Sequence, residues 1–240
     1  MALHVRRTSW RVLYDLSRAT LWVALRLLTR VQYVGRPGPE ALRGGLLIAS
    51  NHQSFLDPPL IGVACRRRIC YLARASLFEK RILGRLIRGL RTHPVARGAA
   101  DTRALRAVTR LLRSSEVVLM FPEGTRSPDG ELGPFKLGVA ALAIRCAVPV
   151  LPVCVEGAFD CWPRTRALPR PGRVLVAFGQ PIRDPGRDAR ALNRRLREEV
   201  SRLQTFLRER MSSMRSTDSK RCAPLRGAVS GRPQVAERTR

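Results

Sequence analysis

The 240-residue chain is poor in lysine, in histidine and in acid. Only Lys80, Lys136 and Lys220 are lysines among 45 basic residues, which face 18 acidic ones and leave a formal charge of +27. A field this positive attracts polyanions, so nucleic acid, an anionic membrane surface and phosphorylated small molecules are all candidate partners. The charge is spread along the chain, however, and no helix-turn-helix, finger or RNA-binding motif is present, which argues against specific nucleic-acid recognition. The histidines are His4, His52 and His93, and the six cysteines (Cys65, Cys70, Cys146, Cys154, Cys161, Cys222) form no C-x-x-C pair. No metal site is implied, and free thiols in a reducing compartment are expected. Cys146 and Cys154 sit in apolar runs and read as small core residues.

Long apolar runs are missing from the start of the chain. Between Arg18 and Arg26 only seven residues are uncharged, against the about 20 apolar residues a spanning helix needs. Neither a transmembrane helix nor a signal peptide is expected there. Val12, Leu16, Ala19, Val23, Leu27 and Val31 instead recur at steps of three and four, with Arg11, Asp15, Arg18 and Arg26 near the opposite face. This predicts a basic amphipathic helix over residues 1–33. Two placements fit it, packing on its own domain or lying in a lipid interface, and Trp10 and Trp22 beside several arginines favour the interface.

Two catalytic signatures are absent as well. Without G-x-x-x-x-G-K-[ST], nucleoside triphosphate chemistry is unsupported. Without G-x-S-x-G, Ser54 is not expected to act as a hydrolase nucleophile beside His52.

What is present is an alternation of short apolar runs with helical patterns after a Gly/Pro break at 34–40, which predicts an α/β domain with a mixed sheet flanked by helices over 34–211. Candidate strands are 45–50, 68–73, 93–97, 116–122, 148–155 and 173–182, with helices near 55–64, 77–89, 101–114 and 135–146, the third opened by Asp101 as N-cap. Pro149 and Pro152 suggest that their strand is bulged or at an edge. Leu192, Leu196, Val200, Leu203 and Leu207 form the stripe of a last amphipathic helix. Residues 212–240, rich in Ser, Pro, Gly and Arg, are expected to form a disordered basic tail.

Two stretches put polar residues at the end of a strand-like run. In "NHQSFLD" (51–57), His52 is the type of side chain that both accepts and returns a proton near neutrality, and Asp57 is placed to orient it across a following helical turn. This is a catalytic triad without its serine, the nucleophile being left to a substrate hydroxyl. On spacing alone the other reading is structural, with Asp57 capping a helix opened by Pro58 and Pro59. In "FPEGTRS" (121–127), Gly124 lets backbone amides approach a ligand, Thr125 adds a hydroxyl, and Arg126 offers a fork that matches phosphate, with Glu123 beside them. An ordinary turn with a Glu/Arg ion pair is the competing reading. Arg97 ends a third strand, and sites in open α/β sheets gather at the carboxyl ends of strands. His93, at the other end of that strand with no carboxylate nearby, is assigned to structure.

Taken in order, "NHQSFLD" (51–57), "THPVAR" (92–97), "FPEGTRS" (121–127) and "VPVLPVCVEG" (148–157) resemble the four blocks of the glycerolipid acyltransferase family, whose members include the 1-acyl-glycerol-3-phosphate acyltransferases. The likeness runs from about 30 to 185 and includes the "DGELGPFKLGVAALA" helix. It implies that His52 deprotonates an acceptor hydroxyl, that Asp57 holds His52, and that the hydroxyl attacks the thioester of acyl-CoA or acyl-carrier protein as cosubstrate. It also implies that Arg97, Glu123, Gly124, Thr125 and Arg126 bind the acceptor and its phosphate. The expected acceptor is lysophosphatidic acid, with glycerol-3-phosphate, a lyso-ornithine lipid or another lysophospholipid as alternatives. Ala96, where an acidic residue is common, and His93, where an aromatic is common, depart from the family pattern and bear on which acceptor is bound. The expected location is peripheral, on the cytoplasmic face of an anionic membrane. A non-enzymatic polyanion- or membrane-binding protein is the alternative of another class.

Overall fold

The computed structural model describes residues 2–36, 43–79, 81–95 and 102–221. Arg97, Asp101 and the segment after 221 lie outside them, as do the side chains of residues before Val12, Trp10 among them.

Seven strands form one sheet: β1 (Thr29–Val34), β2 (Leu46–Ser50), β3 (Ile69–Arg74), β4 (Thr92–Val95), β5 (Val117–Met120), β6 (Val150–Glu156) and β7 (Gly172–Phe178), in the order β1-β7-β6-β2-β5-β3-β4. Strands β2 to β6 run parallel, whereas β7 is antiparallel to β6 and β1 is parallel to β7. The sheet is therefore mixed, as expected. Both of its faces are covered. Alternate residues of β2 divide between two cores, Leu46 and Ile48 on one side, Leu47 and Ala49 on the other. That double burial explains why the strands read as continuous apolar runs rather than as alternating ones.

Helices α1 (Ala2–Leu28), α2 (Asp57–Ala64), α3 (Arg81–Gly89) and the short α6 (Ala158–Cys161) cover the first face. Helices α4 (Thr102–Arg113), α5 (Gly138–Cys146) and α7 (Ala189–Arg221) cover the second. The stripe predicted for α7 is inward: Leu192, Leu196, Val200 and Leu207 are buried and Leu203 packs against them. Cys154 is buried and Cys146 half-buried against the same core, consistent with their reading as small hydrophobes.

Three differences from expectation have physical causes. The N-terminal helix stops at Leu28 rather than at residue 33, and Thr29–Val34 becomes β1 because β7 offers it a full parallel ladder from Thr29 to Val34. Helix α1 docks through Tyr14, Ser17 and Leu25, with Tyr14 Oη accepting from Ile69 N at 3.0 Å and Arg18 donating to Val63 O at 3.1 Å. The apolar stripe therefore faces outward, Leu16 being 61% and Leu27 82% exposed beside exposed Val12, Trp22 and Val23. Strand β6 is interior rather than at an edge. Its Pro152 is accommodated because the neighbouring chain breaks off there: Val150 exchanges both bonds with Ile182, while Gly179 N donates to Pro152 O. Finally, α7 continues through Arg221, ten residues into the segment expected to be a disordered tail. Among the described residues no helix is long and apolar enough to cross a membrane.

Candidate active site

Strands β2 and β5 are parallel neighbours, so the loops that leave them, 51–56 and 121–130, emerge side by side at the carboxyl edge of the sheet. Two bonds clamp them together across 71 residues of sequence and more. His52 N donates to Glu123 Oε1 at 2.8 Å, and Ser127 N donates to His52 O at 2.6 Å.

His52 Nδ1 lies 2.8 Å from Asp57 Oδ2, and the same oxygen accepts from Gln53 N and Ser54 N, each at 2.7 Å. Asp57 is fully buried and is the first residue of α2, but its carboxylate turns back onto the loop instead of capping the helix. A carboxylate oxygen that already receives two backbone bonds is an acceptor, so Nδ1 carries the hydrogen and Nε2 the lone pair. The imidazole stacks on Phe121 with centroids 3.9 Å apart and planes at 15°, and 18% of its side-chain surface stays open. The arrangement is a held imidazole with its basic edge available.

The rest of the first loop is fastened from below. Asn51 completes β6 in place of a strand residue, donating to Val155 O at 2.9 Å and accepting from Val155 N at 2.8 Å. Buried Gln53 donates to Gly130 O at 2.8 Å and reaches Glu156 Oε2 at 3.4 Å. Glu156 also meets Gln204 at 3.2 Å and Arg208 at 3.5 Å on α7, and burial still holds its carboxyl above the ordinary carboxylate range. Ser54 is fully buried, and its Oγ donates to Trp162 O at 2.7 Å, which suits a structural role rather than that of a nucleophile.

The second loop divides by residue. Glu123 is buried, with Oε1 on His52 N and Oε2 accepting from Gly133 N at 3.3 Å. Burial pushes its carboxyl up, and the two backbone donors pull against that shift. Through these bonds Glu123 braces the loop that carries the base. Gly124 and Thr125 are exposed. Gly124 has φ +72°, a left-handed conformation, and a Cβ there would sit 2.9 Å from Lys136 Nζ. Arg126 places its guanidinium 3.5 Å from the centre of the Phe55 ring, which tilts against Trp162 at 5.1 Å. His52, Asp57, Glu123, Gly124, Thr125 and Arg126 are thus brought together. Strand β4 ends at Val95 on the same edge, short of Arg97, which lies outside the described residues. His93 is half-buried in β4, where burial and Arg91 lower its pKa, in keeping with a structural assignment.

Lys136, Asn51, Gln53 and Phe55 were not singled out from the sequence. Lys136 had one available signal, its rarity: it is one of only three lysines among 45 basic residues. No group of three or more potential metal ligands occurs among the described residues.

The acyltransferase family model matches residues 30–156, more than half of the chain and both loops of the site. The chain belongs to this family. Its fold is similar to that of the crystal structure of PlsC, the 1-acyl-sn-glycerophosphate (LPA) acyltransferase of Thermotoga maritima, with a TM-score of 0.73 and 28% identity over 85% of this chain and 83% of that one. A chloroplastic 1-acyl-sn-glycerol-3-phosphate acyltransferase of Brassica napus is 31% identical over 136 residues, covering 55% of this chain and 39% of that protein. The lyso-ornithine lipid O-acyltransferase of Pseudomonas aeruginosa is 28% identical over 200 residues, covering 76% and 77%. The matched region spans only 39 to 53% of the length of the first plant relatives.

Proposed function

We propose that this acyltransferase-family chain transfers a fatty acyl group from acyl-CoA or acyl-carrier protein to the free hydroxyl of 1-acyl-glycerol-3-phosphate, giving phosphatidic acid. The observation that carries this reading is the His52–Asp57 pair with Nε2 left free, set beside a cationic loop rather than beside a nucleophilic side chain. In the reaction, the acceptor hydroxyl gives its proton to His52 Nε2 as its oxygen attacks the thioester carbonyl carbon. Asp57 steadies the imidazolium that forms. The C–S bond then breaks, and the departing thiolate recovers the proton from Nε2 as a free thiol, while the new ester carries the acyl group. No protein-bound acyl group and no metal is needed for this balance.

Arg126 and Lys136, with the amides around Gly124 and the Thr125 hydroxyl, supply a phosphate site beside the base. Arg97 is assigned to the same acceptor from its position after β4. Glu123 contributes by holding the two loops together. The exposed stripe of α1, next to Arg26 and Arg30, suits insertion of Leu16, Val23, Leu27 and Trp22 into an anionic interface, so the enzyme works peripherally, on the cytoplasmic face.

A second acceptor has its own support. The lyso-ornithine lipid relative matches over about three quarters of both chains, and arginine suits a carboxylate headgroup as well as a phosphate. Thiol release from a single acyl donor, compared with lysophosphatidic acid, lyso-ornithine lipid and glycerol-3-phosphate as acceptors, decides between them. The first acceptor giving the highest kcat/KM supports the proposal. Preference for the second replaces the acceptor and keeps the chemistry, and no acceptor-dependent release from any of the three overturns the acyl-transfer reading.

A further inference from the structure

Strand β7 is antiparallel to β6, so it starts at the carboxyl edge of the sheet, the edge that carries His52. The loop that feeds it, 162–171, lies at that edge too. Strand β1 starts there as well, because Thr29 pairs with Gly172. Helix α1 therefore crosses the first face from the amino edge, where Tyr14 meets Ile69 N at the start of β3, to the carboxyl edge at Leu28. Two segments arrive side by side at one corner. One is the end of α1, with Leu27 82% exposed between exposed Arg26 and Arg30; the other is the loop, with Leu168 75% exposed beyond exposed Arg164 and Arg166. Both leucines precede the Thr29–Gly172 pair by only a few residues, and paired strands lie about 5 Å apart.

The loop is a built feature. Arg170 N donates to Cys161 O at 2.9 Å and closes it, and Trp162 Nε1 donates to Arg166 O at 3.1 Å across its middle. Compact loops with joined ends are frequently functional. Its foot is bonded to the catalytic loop: Trp162 O accepts from Ser54 Oγ at 2.7 Å and from Phe55 N at 3.4 Å. The charge here has one sign. No acidic residue occurs from Cys161 to Arg183 or from Leu16 to Pro39, and Asp160, just before the loop, faces Arg215 of α7 at 3.9 Å. Among the described residues neither Arg164 nor Arg166 pairs with a carboxylate. An exposed leucine flanked by arginines, at the corner where the apolar stripe of α1 ends, fits an anionic bilayer. The leucine enters the acyl boundary while the guanidinium groups stay among the phosphates.

We propose that the 162–171 loop is a second membrane contact, which together with the end of α1 turns the carboxyl edge, and His52 with it, toward an anionic bilayer. A helix lying alone in the interface leaves the body free to roll about the helix axis, and a contact away from that axis fixes the roll. A lipid acceptor then passes from the bilayer to His52 without crossing water. This inference rests on the acyl-transfer reading above and on its placement of α1 in the interface.

The test compares the parent with Arg164→Gln/Arg166→Gln/Leu168→Ser, and with the charge-keeping Arg164→Lys/Arg166→Lys. Vesicle binding is measured by flotation with phosphatidylcholine alone and with phosphatidylcholine containing phosphatidylglycerol. Turnover is measured with lysophosphatidic acid held in the anionic vesicles and with a short-chain form dispersed in solution. An arginine near an anionic surface contributes about fivefold to binding, so the triple variant is expected to bind anionic vesicles at least about tenfold more weakly. Its kcat/KM for the vesicle-borne acceptor should fall by a similar factor, while that for the dispersed acceptor and the Tm stay near the parent values. The lysine pair should bind as the parent does. Anionic-vesicle binding that is unchanged in the triple variant overturns the proposal. So does an equal fall in kcat/KM with both acceptors, or a lysine pair as weak as the triple variant, because each makes the loop a structural part of the site. Loop-dependent flotation by a parent that turns over neither acceptor leaves the surface standing and overturns the acyl-transfer reading instead.

Discussion

The loops that follow β2 and β5 share one edge of the sheet but are held in different ways. In the first, Asn51, Gln53, Ser54 and Asp57 are all buried and bonded, and the main polar group left facing outward is the imidazole edge of His52. In the second, Glu123 and Ser127 are fixed beneath, whereas Gly124 and Thr125 are exposed and Arg126 rests on an aromatic ring. A base must be positioned to within tenths of an ångström, because proton transfer needs hydrogen-bond geometry. A headgroup site can rely on charge, which falls off gradually with distance. The contrast separates a rigid chemical element from a more adaptable recognition element.

The largest expected effect comes from breaking the rigid loop. In Asp57→Asn the one oxygen that accepts from Gln53 N, Ser54 N and His52 Nδ1 loses its charge, so the imidazolium formed during proton transfer is no longer stabilised by a carboxylate. The account predicts a fall in kcat of about 10² to 10⁴-fold with the acceptor KM near that of the parent, read from steady-state kinetics. A raised KM with unchanged kcat would assign Asp57 to binding. Breaking the adaptable loop should give the reverse pattern: Arg126→Ala is expected to raise the acceptor KM about 10 to 100-fold, the cost of one charge-assisted pair, with a smaller change in kcat. Phe55→Leu removes the platform under Arg126 and is expected to raise the same KM by about two- to tenfold, with Phe55→Trp restoring it. Equal KM values for Phe55→Leu and the parent would show that Arg126 is oriented by something else.

The smallest effect concerns the support beneath the rigid loop and is one of stability. Burial raises the Glu156 carboxyl against the opposing pull of Arg208, Gln204 and Gln53. A carboxyl raised on folding contributes stability that is present below its unfolded value and lost as pH rises through its folded value. The parent should therefore lose stability relative to Glu156→Gln as pH rises above the ordinary carboxylate range, measured as the difference in Tm across that rise. A difference that moves the other way would mean that Arg208 outweighs burial.

Much of this fold was legible from pattern. Apolar runs and three-four spacings fall on β2 to β7 and on α2, α4, α5 and α7, because residues buried between two layers must be apolar whatever their neighbours are. Strand β1 was not legible. Val31 continues the spacing of α1, and only the ladder offered by β7, about 140 residues away in sequence, turns Thr29–Val34 into a strand. For α1 the sequence left two placements open and favoured the stripe facing outward, which is how it lies. Its most apolar stripe is not the one that docks, since Tyr14 and Arg18 find polar partners at Ile69 and Val63. In the site, His52 and Asp57 were readable because five residues of local chain bring them together. Glu123 as a brace, Asn51 as a stand-in for a strand residue and Lys136 over Gly124 depend on which loops abut, and that is decided by the order of strands.

The most direct test of the central claim is acceptor-dependent thiol release from an acyl thioester, measured for the parent and for His52→Ala at equal Tm. The account predicts release by the parent that rises with the lysolipid acceptor, and a fall in kcat of about 10³-fold or more in the variant. Release that persists at the parent rate without His52 would contradict it.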